Sequence, residues 1–216
     1  MIKNIFFIRH GEVEYSRNEK GETLVYGPMT PLSDLGKQQL EALGKEFKKK
    51  KIDLEIIYSS SYERAKKSAE IFISKLSLQV PLVLTKELRD VDNFGWRGKT
   101  IKEYTVFAGD IYSHRLDRKD ETLRQLSKRA INIFKKIMKT KHRSLAIFSH
   151  GDFLSALVWT LEHKDFPPNY QEMKKNFYLE KGQAVQYKID ESLKIVKRVK
   201  IITVENVKKS IEYWRK

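Results

Sequence analysis

Short apolar runs alternate with longer amphipathic stretches along most of the chain. Residues 3–8 form an apolar run that ends at Arg9, and this run predicts a buried strand. Further runs at 54–58, 80–84 and 145–148 predict three more strands. Apolar residues at helical spacing predict three helices between them. These residues are Leu35, Leu40, Leu43 and Phe47, then Ala65, Ala69, Ile71, Phe72 and Leu76, then Leu123, Leu126, Ala130, Ile133, Phe134 and Ile137.

Local signals mark where some of these elements begin. Ser33 is the predicted N-cap of the first helix, and the lysines at 48–51 suit the dipole at its C-terminal end. A fourth helix is expected over 152–162, before a pair of prolines that would end it.

The C-terminal part of the chain changes pattern. Alternating β-branched residues at 183–189 and 194–203 predict a hairpin. The last dozen residues are expected to form a short helix or a tail.

Strands that alternate with helices predict an α/β fold, here a three-layer α/β/α sandwich with a mostly parallel sheet. The chain has no internal repeat, linker or low-complexity segment, so a single domain is expected over residues 1–216. Residues from about 90 to 120 have no clean period, and they predict a loop-rich insertion with short helices, which we expect to lie over the functional site.

The composition limits the classes of protein that remain. A chain of 216 residues with 40% hydrophobic residues fits a folded globular protein. The absence of cysteine excludes disulfides, thiolate metal sites and a cysteine nucleophile, and it suits a reducing cytoplasm. The N-terminal apolar run is too short for a signal peptide, and no segment approaches the length of a membrane span. We therefore expect a soluble, unprocessed cytoplasmic protein.

The charge balance is strongly basic, with 43 Lys and Arg against 28 Asp and Glu, a net charge of +15. A nucleic-acid surface, a pocket for acidic substrates and a solvated basic surface are three possible explanations. The lysines are scattered along the chain, which favours the solvated surface over a dedicated nucleic-acid site.

Three predicted strands are followed by polar clusters. The clusters are Arg9-His10-Gly11, Ser59-Ser60-Ser61 with Arg64 shortly after, and Ser149-His150-Gly151. Ligands bind at the carboxyl ends of parallel strands, so all three clusters are expected on one rim. Two arginines and two histidines together suit a dianionic phosphoryl group. Each guanidinium group can donate two parallel hydrogen bonds to its oxygens, and a neutral imidazole can attack phosphorus.

Five motifs in order along the chain resemble the histidine phosphatase (phosphoglycerate mutase-like) superfamily. They are Arg9-His10-Gly11-Glu12, the segment 31–36 (PLSDLG), the segment 58–65 (YSSSYERA), the segments 88–92 (LRDVD) and 96–100 (WRGKT), and the segment 146–151 (AIFSHG). Together they cover roughly residues 4–160.

The resemblance implies a role for each matching residue. His10 would accept the phosphoryl group as a phosphohistidine, and Arg9, Arg64 and His150 would bind the phosphate oxygens. Gly11 would hold the imidazole tautomer through a backbone contact, and Gly151 would also contact phosphate. No cofactor and no metal are expected, since His142 and His163 lack metal-ligand spacing.

The general acid is less directly specified. The family usually has a glutamate where this chain has Asp90, which is the predicted acid, with Asp92, Glu87 and Glu12 as alternatives.

The early loop also departs from the family pattern. Ser16 stands where the family often has a phosphate-binding asparagine, and Asn18 is a possible replacement. Met29 stands where the family has an aspartate.

These features predict a metal-independent phosphatase that acts on phosphomonoesters. A phosphoglycerate-type mutase is the first alternative, although Val13 and the segment 90–94 differ from the mutase pattern. A non-catalytic module that binds phosphorylated ligands is the second, and a nucleic-acid-binding protein is the third. The expected partner is a phosphorylated small molecule, with a phosphoprotein as the alternative. Specificity lies in variable loops, so the sequence does not identify the substrate.

A basic mouth is a further hypothesis. Arg17, Arg115 and Arg118 would favour substrates with a second phosphate or carboxylate. The alternative for the 114–119 segment is a solvated basic turn.

Overall fold

A six-stranded sheet forms the centre of the molecule in the computed structural model, which describes residues 1–76, 79–107 and 110–202. The strands are β1 (Ile2–Arg9), β2 (Ile56–Ser60), β3 (Leu82–Thr85), β4 (Ser144–Ser149), β5 (Ala184–Asp190) and β6 (Ile195–Ile202). Their order across the sheet is β3-β2-β4-β1-β5-β6. The first four strands are parallel, and the β5–β6 hairpin adds an antiparallel neighbour to β1.

Helices cover both faces of the sheet. They are α1 (Asp34–Lys49), α2 (Glu63–Ser74), α3 (Ile101–Val106), α4 (Leu123–Met138), α5 (Gly151–His163) and α6 (Tyr170–Asn176). Ser33 caps α1 as predicted, since its hydroxyl accepts the backbone N–H of Gly36 at 3.2 Å. The last turn of the same helix contains Lys48 and Lys49, where a positive charge is favoured.

Alternate residues of β1, β2 and β4 enter one of two cores. In β1, Phe6 and Ile8 pack under α1 and α2, whereas Ile5 and Phe7 pack under α4 and α5. The period of two along a strand divides the apolar residues in this way. The fold is therefore the predicted three-layer α/β/α sandwich with a mostly parallel sheet.

Two strands begin and end later than predicted, β2 at 56–60 instead of 54–58 and β3 at 82–85 instead of 80–84. β2 extends through Ser59 and Ser60, which the sequence pattern placed in a turn, because the ladder with β3 continues through both serines. β3 begins at Leu82, after Pro81, since proline has no N–H to donate to a ladder.

Helix α6 was not predicted. The side chain of Asn169 accepts the backbone N–H of Glu172 at 2.8 Å and starts this short helix. The predicted helix or tail over the last dozen residues lies outside the described residues.

The carboxyl ends of β1, β2 and β4 meet at one edge of the sheet. In the parallel registers, Arg9 lies opposite Ser149, and Ser59 lies opposite Phe148. The three polar clusters at these strand ends therefore converge on one rim, as the sequence predicted. Within the described ranges, none of the helices is both long and apolar enough to cross a membrane.

Candidate active site

His10 follows the last residue of β1 and is completely buried. Its Nδ1 lies 2.7 Å from the carbonyl oxygen of Gly11, which can only accept a hydrogen bond, so Nδ1 carries the proton. The other ring nitrogen, Nε2, accepts the Nε–H of Arg64 at 3.3 Å. Burial lowers the pKa of His10 well below 6.5, and the charges of Arg64 and Arg9 lower it further. The imidazole is therefore neutral, with a lone pair on Nε2.

The turn after His10 needs glycine because it packs against the start of α1. A Cβ on Gly11 would lie 2.5 Å from the carbonyl oxygen of Gly36. A Cβ on Gly36 would lie 2.1 Å from the carbonyl oxygen of Glu12. This close approach of two backbones fixes the carbonyl that holds the His10 tautomer.

Arg9 and Arg64 bring two buried positive charges next to this imidazole, since their exposures are 1% and 2%. The guanidinium of Arg9 donates to the carbonyl oxygen of Leu179 at 2.9 Å and lies over the ring of Tyr178. Arg64 donates to the carbonyl oxygen of Gly27 at 2.8 Å. Two guanidinium groups held in place in this way form a preorganised site for an anion.

His150 follows β4 and faces His10, with ring centroids 5.1 Å apart. Its Nε2 lies 3.0 Å from the hydroxyl of Ser60. Its Nδ1 is buried, lies 3.6 Å from a carboxylate oxygen of Asp90, and has no hydrogen bond within the described part of the chain. Burial lowers the pKa of His150 well below 6.5, followed by the charge of Arg64, so the contact with Asp90 is not an ion pair. Nδ1 is thus available to a ligand oxygen.

Asp90 is the carboxylate that faces this group. Its Oδ2 accepts from Nη2 of Arg64 at 3.0 Å. The three alternative acids pair elsewhere: Asp92 with Arg89, Glu12 with Lys181, and Glu87 with Lys136. Asp90 is therefore the candidate acid in contact with the converging arginines and histidines.

Arg129 of α4 holds the backbone that carries Asp90, a feature that the sequence interpretation missed. Its guanidinium donates to the carbonyl oxygens of Glu87, Arg89 and Asp90 at 3.0, 2.9 and 3.0 Å. It also donates to both carboxylate oxygens of Glu121, at 2.9 and 2.6 Å. Five hydrogen bonds from one planar group fix the 87–90 segment against α4.

A cleft adjoins this group of side chains, and His10 and His150, both fully buried, are not among the described residues that line it. Its walls include Arg9, Arg64, Asp90 and Asp152, the tyrosines Tyr26, Tyr62, Tyr104 and Tyr178, and the apolar residues Val25, Ile101 and Ile111. Asp152 was not among the predicted site residues, although it follows Gly151 directly. Burial, and then the charge of Asp90, raise the pKa of Asp152 from 3.8 to about 6.

The early loop enters the cleft at a different point from the one predicted. Tyr26 and Gly27 line the cleft, whereas Ser16, Arg17 and Asn18 are absent from its lining among the described residues. The side chain of Arg17 donates to the carbonyl of Gly21, and the side-chain oxygen of Asn18 accepts two N–H groups within its own turn.

The predicted basic mouth is also not part of the described lining. Arg115 donates to the carbonyl oxygen of Arg118 at 2.7 Å, and both residues are exposed. Gly151 does line the cleft, at the first turn of α5.

Comparisons with known proteins identify relatives in sequence and in fold. A protein of Hydrogenobacter thermophilus named "Putative phosphoserine phosphatase 2" is 30% identical over 168 residues, which cover 74% of this chain and 79% of that protein. The alpha-ribazole phosphatase of Shigella flexneri superimposes with a TM-score of 0.70 at 20% identity, covering 97% of this chain and 99% of that chain. A phosphoserine phosphatase of Entamoeba histolytica gives a TM-score of 0.65 at 19% identity, covering 98% of both chains. These two structures share the fold.

The match at the level of the family is more extensive. The family model described as the histidine phosphatase superfamily (branch 1) matches residues 5–179. This range contains the five motifs noted above and every side chain that converges on the rim. The chain therefore belongs to branch 1 of the histidine phosphatase superfamily.

Proposed function

We propose that this protein hydrolyses phosphomonoesters through a phosphohistidine intermediate on His10. The single observation that carries the proposal is the state of His10: a buried neutral imidazole, its Nδ1–H bound to the carbonyl of Gly11, and its Nε2 lone pair next to Arg64. A fixed tautomer that places the lone pair on Nε2 is what nucleophilic attack on phosphorus requires, once the guanidinium of Arg64 turns from Nε2 to the phosphate oxygens.

In the first step, Nε2 of His10 attacks phosphorus, and the bond from phosphorus to the ester oxygen breaks. The leaving oxygen takes the electron pair of that bond and a proton from the carboxyl of Asp90. In the second step, water attacks phosphorus and gives a proton to Asp90, and the bond to His10 breaks. The products are an alcohol, inorganic phosphate and the free enzyme.

Charge stabilisation comes from groups that are already in place. Arg9 and Arg64 bind the phosphate oxygens, and Nδ1 of His150 faces the same site. Arg64 also contacts Asp90, so a phosphate that binds Arg64 competes with this carboxylate for the guanidinium. Gly151 adds a backbone N–H at the start of α5.

The substrate is proposed to be a phosphorylated small molecule, because the cleft is walled by tyrosines and apolar side chains. The name of the Hydrogenobacter relative makes O-phosphoserine one member of the panel to be tested.

The test is phosphate release from a panel of phosphorylated metabolites in EDTA. The wild type is compared with His10→Ala and with His142→Ala, a matched change at a histidine that pairs with Glu55 away from the site. We expect release by the wild type and by His142→Ala, and none by His10→Ala. Activity that survives in His10→Ala, activity that needs a metal, or isomerisation without net phosphate release would overturn the proposal.

A further inference from the structure

Asp152 places a second carboxylate in the cleft, and the mechanism above does not use it. It is 7% exposed and lines the cleft one residue after Gly151. Its Oδ2 accepts the hydroxyl of Tyr112 at 2.9 Å, which fixes the orientation of the carboxylate. Tyr112 and Tyr104 are partly buried, and both have pKa values well above 10, first because of desolvation and then because of the charge of Asp152. Both phenols are therefore neutral.

This carboxylate has no ion-pair partner within the described ranges. The charges of Lys174 and Arg9 lower its pKa, but neither charge outweighs burial and the neighbouring Asp90. A buried carboxylate with no cation paired to it among the described residues is costly, so its position in a ligand cleft points to a cation supplied by the ligand. With a pKa of about 6, Asp152 is still mainly ionised at neutral pH. The N-terminal end of α5 also stabilises the negative charge of Asp152. This effect would be equal for a side chain that faced solvent, so it does not account for a carboxylate inside the cleft.

Asp152 is placed to contact the leaving group of a substrate. The phosphoryl group belongs at Arg9, Arg64 and the two histidines, and a carboxylate repels it. The wall that continues beyond this point contains Tyr104, Ile101 and Ile111, so the organic part of the ester lies against aromatic and apolar surface. An aromatic wall beside a carboxylate suits an ammonium group.

Building on the proposed function, we propose that Asp152 selects phosphomonoesters whose leaving group carries a primary ammonium close to the ester oxygen. Substrates with a carboxylate at the same point are disfavoured. The basic mouth expected from Arg115 and Arg118 would favour a second negative charge on the substrate, which is the opposite preference. Those two arginines are not among the described residues that line the cleft.

The experiment is a calorimetric titration with three phosphonates of similar size: 2-aminoethylphosphonate, 2-hydroxyethylphosphonate and phosphonoacetate. Phosphonates bind without being hydrolysed, so the result does not depend on turnover. The wild type is compared with Asp152→Asn, which keeps the shape and an acceptor for Tyr112. The control is Asp53→Asn, which removes the same charge from an exposed aspartate before β2.

We expect the wild type and Asp53→Asn to bind the aminoethyl compound most tightly and phosphonoacetate least tightly. Asp152→Asn should bind the aminoethyl compound about tenfold to a hundredfold more weakly, the range for losing one charged hydrogen bond, and should bind phosphonoacetate more tightly than the wild type does. Equal affinities of the wild type for all three compounds, or tightest binding of phosphonoacetate, would overturn the inference even without a variant. An equal change for all three ligands in Asp152→Asn would also overturn it.

The matched esters separate this inference from the proposed function. Phosphate release from 2-aminoethyl phosphate and 2-hydroxyethyl phosphate is measured with the wild type and His10→Ala. If neither ester is hydrolysed but the binding order holds, hydrolysis is contradicted and the charge preference stands. If both are hydrolysed with equal kcat/KM and the phosphonates bind equally, the preference is contradicted and hydrolysis stands.

Discussion

Replacement of Arg129 by lysine should impair the general acid while leaving the nucleophile in place. Lysine keeps the positive charge but has three donors on one atom, so at least two of the five hydrogen bonds to Glu87, Arg89, Asp90 and Glu121 are lost. Two such bonds contribute about 3 kcal/mol to the free energy of unfolding. The 87–90 backbone then moves relative to His10, and a displacement of about 1 Å costs roughly a hundredfold in rate.

The assay uses two substrates with different leaving groups. An alkyl phosphate needs its leaving oxygen protonated, whereas 4-nitrophenyl phosphate has a leaving group that departs with little help. In Arg129→Lys, kcat/KM for the alkyl phosphate should fall about tenfold to a hundredfold, which is about 1.4 to 2.7 kcal/mol of transition-state stabilisation. For 4-nitrophenyl phosphate it should fall less than about threefold.

Lys128→Arg is the matched control, because Lys128 is exposed on the same helix. It should change neither rate. Arg129 is a positioning residue only if the loss depends on the leaving group. If Arg129→Lys lowers both rates by the same factor, the change is a general loss of folded enzyme or of phosphate binding, and the reasoning is wrong.

Two further predictions concern stability. Gly11→Ala should lower the free energy of unfolding by about 1–3 kcal/mol, because the new Cβ meets a backbone oxygen. Gly27→Ala is the control, because a Cβ there has nothing within 4 Å, and it should change the free energy of unfolding by less than about 0.5 kcal/mol. Urea unfolding midpoints of the two variants check this prediction. The folded-state pKa values of His10 and His150 are depressed, so below pH 6.5 the unfolded chain binds more protons and each histidine removes roughly 1.4 kcal/mol of stability per pH unit. Asp152 has the opposite effect, because its folded-state pKa is raised to about 6 and the folded chain therefore binds a proton there below that pH. This gain offsets the loss of stability from one of the two histidines. The free energy of unfolding, measured between pH 7 and pH 5, should therefore decrease as the pH falls. The decrease should be smaller in His10→Asn than in the wild type. An equal dependence on pH in the two proteins would contradict the prediction.

Most of the sandwich follows from periodicity in the sequence. β1, α1, α4 and β4 have uninterrupted patterns and clear ends, and their boundaries lie within one or two residues of those predicted. Helix α6 escaped prediction because seven residues give barely two turns of pattern, although the Asn169 to Glu172 spacing is a capping signal.

The residues of the candidate site also fall into a group that the sequence predicted and a group that it did not. His10, Arg9, Arg64 and His150 were predictable because each lies at a strand end or shortly after one, and parallel strands bring their carboxyl ends together. The contribution of Tyr26 depends on how a loop folds over that rim, which no local pattern encodes, whereas Asp152 follows the Gly151 of a strand-end motif and was overlooked at a predictable position. Arg129 lies between Leu126 and Ile133 at the border of an apolar stripe. An arginine there suggests a buried partner, but the carbonyls it binds come from a segment about 40 residues earlier.

Alkaline rapid quench during turnover tests the central claim most directly, because phosphohistidine survives in base. Digestion and mass spectrometry of the quenched protein should find one phosphoryl group on the peptide that contains His10, formed and lost at rates compatible with turnover. It should be absent from His10→Ala. Steady phosphate release with no phosphoryl group on that peptide, or with the group on another residue, would contradict the account.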